Sequence, residues 1–373
     1  MVKMNELSCR ERLLKTLAGE PIDRVAVFDV LHNIDLIEHL AGDKVSPANA
    51  EDLLCKAASK VLDLIRHFAV PDGLDKTISD ELGFVYKYEW WTGHVIERPR
   101  FDSSKEIEHC VKRDIELIYD YIDRGKICLS ARQHVRLFDE NFETFEAVKS
   151  EFRRITEKLD GTLMLPPEDV CAVAIATERY DEPGWWYLWY DYPETASQYL
   201  DALTDYQLAF IDAFADSSVC PLTQISVAVG TGTGLLYSPD FMRQEVVPRE
   251  MKKVDRWKKH GYYVLGFLDG YKLPLIDDFV NIGVDEIHPF ETNCGIDVKT
   301  FREKYPKVVI GQPIDCVHLL TTGSEAEVRD AVIRAIEDAD RRKIIMGSTS
   351  AIHPNVSVRN ALAMFETARH YPL

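Results

Sequence analysis

Carboxyl, imidazole, amide and hydroxyl side chains follow directly on a series of short apolar runs in this chain. Asp269 closes the run at 263–268, and His288 lies inside the run at 286–290 that Glu291 ends. Gln312, Asp315 and Cys316 follow 308–310, while Ser348, Ser350 and His353 follow 344–346. In the first half, Asp29 and His32 come at the end of a run at 25–30, and Arg132 and His134 follow 127–130. Two carboxyls such as Asp269 and Glu291 that reach one substrate push one of their pKa values upward, leaving an acid able to donate a proton. The plainer reading makes Asp269 a cap and Glu291 a partner for Lys or Arg; the placement of both at the ends of apolar runs favours the acid pair.

The other candidates carry two readings each. His288 is either a catalytic or ligand imidazole or a core residue with its hydrogen bonds satisfied. Cys316 is a thiolate ligand or, as a lone cysteine, a small buried side chain, and burial is the commoner use. The block at 185–192, WWYLWYDY, can stack on a planar or cationic substrate through Trp186, or pack against the body of the protein.

These residues need elements to position them. The run LSCRERLLKTL at 7–17 reads as an amphipathic helix with Ser8 as N-cap and Glu11 as its capping-box partner. A buried strand follows at 25–30, and helical patterns alternate with turns from 34 to 70. Residues 72–100, with Trp90 and Trp91, read as an excursion of strands or loop. Helix is expected from 104 to 124 and strands at 127–130 and 162–176. The second half alternates apolar runs at 223–229, 263–268, 286–290, 308–310 and 344–346 with helices near 239–259, 273–281, 297–304, 324–340 and 356–369. The 239–259 helix has Ser238 as N-cap and Pro239 at its first position, and buries Val247, Met251, Val254 and Trp257. Repeated strand–helix units with about eight strands predict a (β/α)8 TIM barrel with N-terminal helical additions, residues 1–24 preceding a single decorated barrel over 1–373. In such a barrel chemistry gathers where strands end. The alternative, a doubly wound sheet, draws on Gly230, Gly232 and Gly234, but their spacing is GxGxG with no phosphate-binding Lys after it. They read instead as a flexible turn at the barrel mouth.

Composition narrows the function further. With 44 Lys+Arg against 62 Asp+Glu the net charge is −18, which argues against a surface built for nucleic acid. The basic run Lys252, Lys253, Arg256, Lys258 and Lys259 reads as the solvated face of a helix. No stretch approaches the ~20 apolar residues of a membrane span, and the first residues carry no signal-peptide pattern, so the expected location is cytoplasmic with no membrane contact. The eight cysteines never form CxxC and read as reduced thiols.

Several motifs together resemble the uroporphyrinogen decarboxylase superfamily: RERLLKTLAGEPIDRVAV at 10–27, LYSPDFM at 236–242, GVDEIHPFE at 283–291, GID at 295–297 and GQPID at 311–315. The resemblance implies a (β/α)8 barrel whose mouth receives a tetrapyrrole, as substrate in the decarboxylases or as a protein-bound corrinoid in the methyltransferases. The decarboxylase branch grips substrate carboxylates with an Arg-rich segment, whereas residues 28–35 read FDVLHNID with no Arg, so that branch is disfavoured. The thiol-methylating branch carries zinc on HxCG and a later Cys. Here the tetrad is FLDG at 267–270 and the later position falls in GSTS at 347–350, so zinc is conceivable only in some other arrangement of Asp269, Glu291 or His288, and whether any metal binds stays open. What remains resembles members that move a methyl group from a small methylated donor, such as a methoxylated aromatic, to a cobalt(I) corrinoid (the methylcobalamin/cob(I)alamin pair) on a partner protein. In that reading Asp269 and Glu291 supply the acid and its partner, with His288 beside them. Tyr237, His353, His32, Trp186 and Gln312 bind the donor. The rival readings are a decarboxylase acting on another acid and a non-catalytic ligand-binding barrel. The oligomeric state stays open, a homodimer included.

Overall fold

Short runs of Val, Ile and Leu with no polar alternation belong in strands covered on both faces. The computed structural model places them so: Val309–Gly311 and Ile344–Met346 are buried at every position, and Glu286–His288 is as well although two of its three residues are polar. The structure describes residues 6–66, 68–73, 75–90, 92–128, 131, 143–167 and 169–373. Among them the strands are β1 Ala26–Asp29, β2 Leu64–Ile65, β3 Lys76–Ser79, β4 Val85–Glu89, β5 Thr92–Glu97, β6 Leu163–Met164, β7 Asp169–Val170, β8 Leu222–Ala228, β9 Tyr263–Asp269, β10 Glu286–His288, β11 Val309–Gly311 and β12 Ile344–Met346.

Nine of these form one sheet in the order β6-β2-β1-β12-β11-β10-β9-β8-β7. All its pairings are parallel. β6 and β7 belong to one pass of the chain. Leu163 and Met164 pair with Leu64 and Ile65, and a few residues later Asp169 and Val170 pair with Ile225 and Ser226. Between them lie Pro166 and Pro167, which have no N–H to donate and interrupt the ladder. With β6 and β7 counted as halves of one strand, the sheet's nine strands become eight and its two ends meet. The fold is a (β/α)8 barrel, as the sequence predicts. The excursion at 72–100 is a separate antiparallel sheet in the order β3-β4-β5.

Several expectations change. The strand expected at 127–130 is not part of the ring: Ile127 and Cys128 are not strand, and Leu129 and Ser130 lie outside the described residues, as do Trp91, Arg132 and His134. The missing strand is β2, too short for its two apolar residues to stand out from the helix Ala50–Val61 before it. The strand expected at 162–176 is broken by the prolines and yields to the helix Ala172–Tyr180. The helix after β8 contains a wider π turn at Met242–Val246, just before Pro248, whose ring and missing N–H disturb the ordinary i→i−4 bonding. On this helix Met251 is 43% exposed, while Lys253 is wholly buried against Glu250 at 2.9 Å, so neither residue follows the expected pattern. The glycine turn is tied down: the Gly230 N–H donates to the Asp269 carbonyl (3.1 Å) and the Tyr271 N–H to the Thr231 carbonyl (2.7 Å). A Cβ on Gly270 would sit 2.0 Å from the Gly230 carbonyl oxygen, so glycine is what lets the two loops cross.

The opening helix Cys9–Ala18 has the capping box that Ser8 and Glu11 predict and ends at Gly19 in the left-handed region. A buried ion network fixes it to the barrel floor. Asp63, just before β2, accepts from Arg12 Nη1 and Arg24 Nη1, each at 2.6 Å, and from the Val27 N–H at 2.9 Å. Burial alone would raise the Asp63 pKa, but the hydrogen bonds and charges of Arg24 and Arg12 outweigh it and hold the carboxyl below its ordinary value. The stabilisation is therefore present above the ordinary carboxylate range and fades as pH falls through the depressed value. Asp63→Ala leaves two guanidiniums without their shared counterion and is expected to cost about 3–5 kcal/mol in denaturant unfolding at neutral pH. A change within 0.5 kcal/mol, the ordinary surface range, would refute the network's role.

Candidate active site

The strands and their ends bring a group of polar side chains into the barrel interior around the Arg66 guanidinium. Arg66 follows β2 directly and is 6% exposed. Its guanidinium carbon lies 4.5 Å from the centre of the Phe267 ring, and Nη2 donates to the Ser350 carbonyl at 3.0 Å. Its charge lowers the pKa values of Asp29, Asp269 and Glu286, so all three carboxyls lie within its electrostatic reach.

Asp29, at the end of β1, is fully buried and accepts from the Ser348 N–H (2.8 Å), the Ser348 hydroxyl (2.7 Å) and the Val30 N–H (2.8 Å). Burial nevertheless dominates and pushes its pKa up to about 7, against the opposing pull of those bonds and of Arg66. Deeper in the barrel Glu286 and His288, both at 0% exposure, form a chain with Gln224 of β8. Glu286 Oε2 lies 2.7 Å from His288 Nδ1, and His288 Nε2 lies 3.1 Å from Gln224 Oε1. With an acceptor at Nε2 that nitrogen carries a proton, and Glu286, raised well above its ordinary pKa by burial, accepts at or donates to Nδ1. The imidazole stands edge-on to Phe28 and Phe267, which cover it.

At the rim, Asp269 closes β9 and is open to water on one side with protein crowding the others. Burial first and Glu291 second raise its pKa, against Lys272 and Arg66. Glu291 is held in place: Oε2 accepts from the Gly270 N–H at 2.9 Å and from Lys272 Nζ at 3.1 Å. The expected pair is thus brought together with its members distinguished. Glu291 is anchored by a cation and a backbone donor, and Asp269 is left as the carboxyl with a raised pKa.

The remaining candidates separate. His32 is 5% exposed and edge-on to Trp90 at 6.2 Å. Gln312 is fully buried and donates through Nε2 to the Phe28 carbonyl at 3.1 Å, from a backbone with φ +50°. His353 Nε2 donates to the Cys316 carbonyl (3.1 Å), and its Nδ1 accepts from the Asn355 N–H (3.3 Å), so the ring ties the loop after β12 to the loop after β11. Trp186 and Tyr237 stand 5.3 Å apart beside Phe241, with Trp186 Nε1 donating to Glu182 at 2.7 Å. They form a packed aromatic wall against the helix that starts at Pro239. Cys316 is buried.

Sequence reasoning missed Arg66, Lys272, Glu286 and Gln224. Arg66 follows a strand of two residues that the sequence does not set apart from the helix before it; the other three sit inside or just beyond strands and look like any polar residue there. The zinc arrangement does not fit this interior. Phe267 offers no donor and lies under the Arg66 cation, and the Ser348 hydroxyl is given to Asp29. Among the described residues no group of three His, Cys, Asp or Glu side chains is gathered as a metal site.

Close packing supports this polar interior. A Cβ on Gly311 would fall 1.5 Å from Glu286 Oε1 and 2.9 Å from His288 Cβ. Gly311→Ala is expected to lower stability by about 1–3 kcal/mol in denaturant unfolding, because the buried pair must shift. Asp29 gives a pH signature. Its folded pKa is raised, so its contribution is present below the ordinary carboxylate pKa and is lost as pH rises through about 7. Unfolding measured from acid to neutral pH should show that slope, and Asp29→Asn should flatten it; an unchanged slope in the variant would count against the buried acid.

Among the described residues no helix is long and apolar enough to cross a membrane. No curated protein matches the chain. Among solved structures it is similar to a methyltransferase from Methanosarcina mazei, with a TM-score of 0.66 at 15% identity over 97% of this chain and 98% of that one. A B12-independent methionine synthase from Shewanella sp. gives a TM-score of 0.45 at 10% identity over 92% and 96% of the two chains. The first likeness shows a shared fold. The family model of uroporphyrinogen decarboxylase (URO-D) matches residues 141–371, more than half of the chain, and the protein belongs to that family.

Proposed function

We propose that the protein is a methyltransferase that takes a methyl group from a small methylated donor, such as a methoxylated aromatic, and passes it to a corrinoid carried by a separate protein. The observation that supports this reading is the rim carboxyl Asp269, with its raised pKa, beside the anchored Glu291 and within reach of the Arg66 cation. The bond from oxygen to the methyl carbon breaks as the carbon is taken by the acceptor, and the oxygen leaves with the bonding pair. A phenolate or similar anion is a poor leaving group unless it is protonated or held by a positive charge. Asp269 gives its proton to that oxygen, and Arg66 stabilises the negative charge that remains. When bound, the reduced corrinoid supplies the nucleophile. Burial and, after it, the charge of Glu291 raise the Asp269 pKa and favour its acid form. His288 and Gln312, covered from the rim, fix the floor on which Phe267 and Phe28 sit. The chain acts as a single decorated barrel in the cytoplasm.

A second reading has a specific observation behind it. Arg66, the residue after β2, brings a guanidinium within electrostatic reach of Asp269, a cation that residues 28–35 lack. A cation to hold a carboxylate and an acid to protonate the carbanion after CO2 leaves would suit a decarboxylase of one small acid.

Methyl transfer from a panel of methoxylated aromatics to a reduced corrinoid protein, followed by its visible spectrum, tests the first reading; release of CO2 without corrinoid would replace it with the second. Asp269→Asn is expected to lower kcat by about 10²-fold or more with a smaller change in KM. The wild-type rate should fall on the alkaline side as Asp269 loses its proton, and the variant should lose that limb.

A further inference from the structure

The two rim carboxyls stand on different loops, and those loops are joined in an unusual way. The loop after β9 is tied to the loop after β8 by backbone bonds. The Val229 and Gly230 N–H groups donate to the Asp269 carbonyl (3.3 and 3.1 Å), and the Tyr271 N–H donates to the Thr231 carbonyl (2.7 Å). On its other side the ladder between β9 and β10 ends with the pair Phe267 and His288. Beyond that pair, among the described residues, no backbone hydrogen bond joins 270–272 to 289–291. Side-chain bonds take its place. The Gly270 N–H donates to Glu291 Oε2 at 2.9 Å, and Lys272 Nζ donates to the same oxygen and to the Pro289 carbonyl, each at 3.1 Å.

Lys272 makes both of its bonds from a position that is 1% exposed. An ammonium shut away from water needs a counter-charge and acceptors close by, and Glu291 and the Pro289 carbonyl provide them. One bond holds the tip of the Glu291 side chain and the other holds the chain two residues before it. Rotation of Glu291 away from this place would strand a buried cation, which is costly. Burial, then Glu291, raise the Asp269 pKa and Lys272 lowers it, which places the three groups within reach of one another.

We propose that Lys272 is a positioning residue of the rim: it fixes Glu291 against the loop that carries Asp269, and so sets the spacing of the two carboxyls, without touching the donor. This rests on the reading of Asp269 and Glu291 as the acid and its partner. A methionine at residue 272 fills much the same space with no charge and no N–H to donate, so it separates the bonds from the packing of the stem. An arginine restores both the charge and the donors.

Amide hydrogen exchange in the intact protein, read by NMR on 15N-glycine, tests the geometry without turnover. In the wild type the Gly270 N–H should exchange at least about ten-fold more slowly than that of Gly232, an exposed residue of the neighbouring turn whose N–H has no acceptor among the described residues. Lys272→Met should speed Gly270 exchange by about ten-fold while circular dichroism shows an unchanged fold, and Lys272→Arg should recover part of the protection. In methyl transfer Lys272→Met should lower kcat by about ten-fold or more and leave KM within about two-fold, since no contact to the donor is lost, with part of the rate recovered in Lys272→Arg. Wild-type Gly270 exchange as fast as that of Gly232, unchanged protection in folded Lys272→Met, or a KM that rises while kcat holds overturns the inference. Absence of methyl transfer by the wild type would overturn the proposed function instead, and the exchange rates would still decide the role of Lys272.

Discussion

One guanidinium inside the barrel sets the terms for the rest of the upper interior. Arg66 lies over Phe267 and is held by the Ser350 carbonyl, with Asp29, Asp269 and Glu286 all within reach of its charge. One cation can balance one carboxylate in a region that excludes water; the others are driven to keep their protons. Burial accordingly raises the pKa values of Asp29, Asp269 and Glu286 above the ordinary carboxylate range, against the pull of Arg66. Glu291 escapes this constraint because it has its own cation in Lys272 and a backbone donor in Gly270. That difference in partners distinguishes two carboxyls of similar chemistry.

The arrangement depends on the backbone as much as on charge. Glu286 and His288 fit side by side only because residue 311 has no Cβ, and a Cβ at residue 347 would collide with the Phe28 carbonyl oxygen at 2.0 Å. The polar interior is packed to the point where glycine is needed next to it.

Much of this was legible in the chain. The capping box at Ser8, the apolar runs of β8 to β12 and the positions of Asp269 and Glu291 at strand ends all rest on local patterns, and local patterns survive folding. The closure of the ring did not, because β2 and the halves β6 and β7 are two residues each and are defined by their partners rather than by their own sequence. The same reason hid Arg66: without β2 there was no strand end to place it on. Lys253, read as part of a solvated basic face, is buried because Glu250 stands beside it, a pairing that composition alone does not reveal. The glycine turn was expected to be flexible, and only the crossing of residues 230 and 270 shows that its glycines serve close approach.

The split strand at 163–170 has a mechanical meaning. Seven of the eight staves carry unbroken pairing to their neighbours, while this one holds its left neighbour with its first half and its right neighbour with its second, across two prolines. The ring has a seam. Each half pairs through two residues, as most neighbouring strands of the ring do, so the split does not thin the ladder. A barrel built this way closes its ring through one stave that meets its two neighbours at successive levels of the chain.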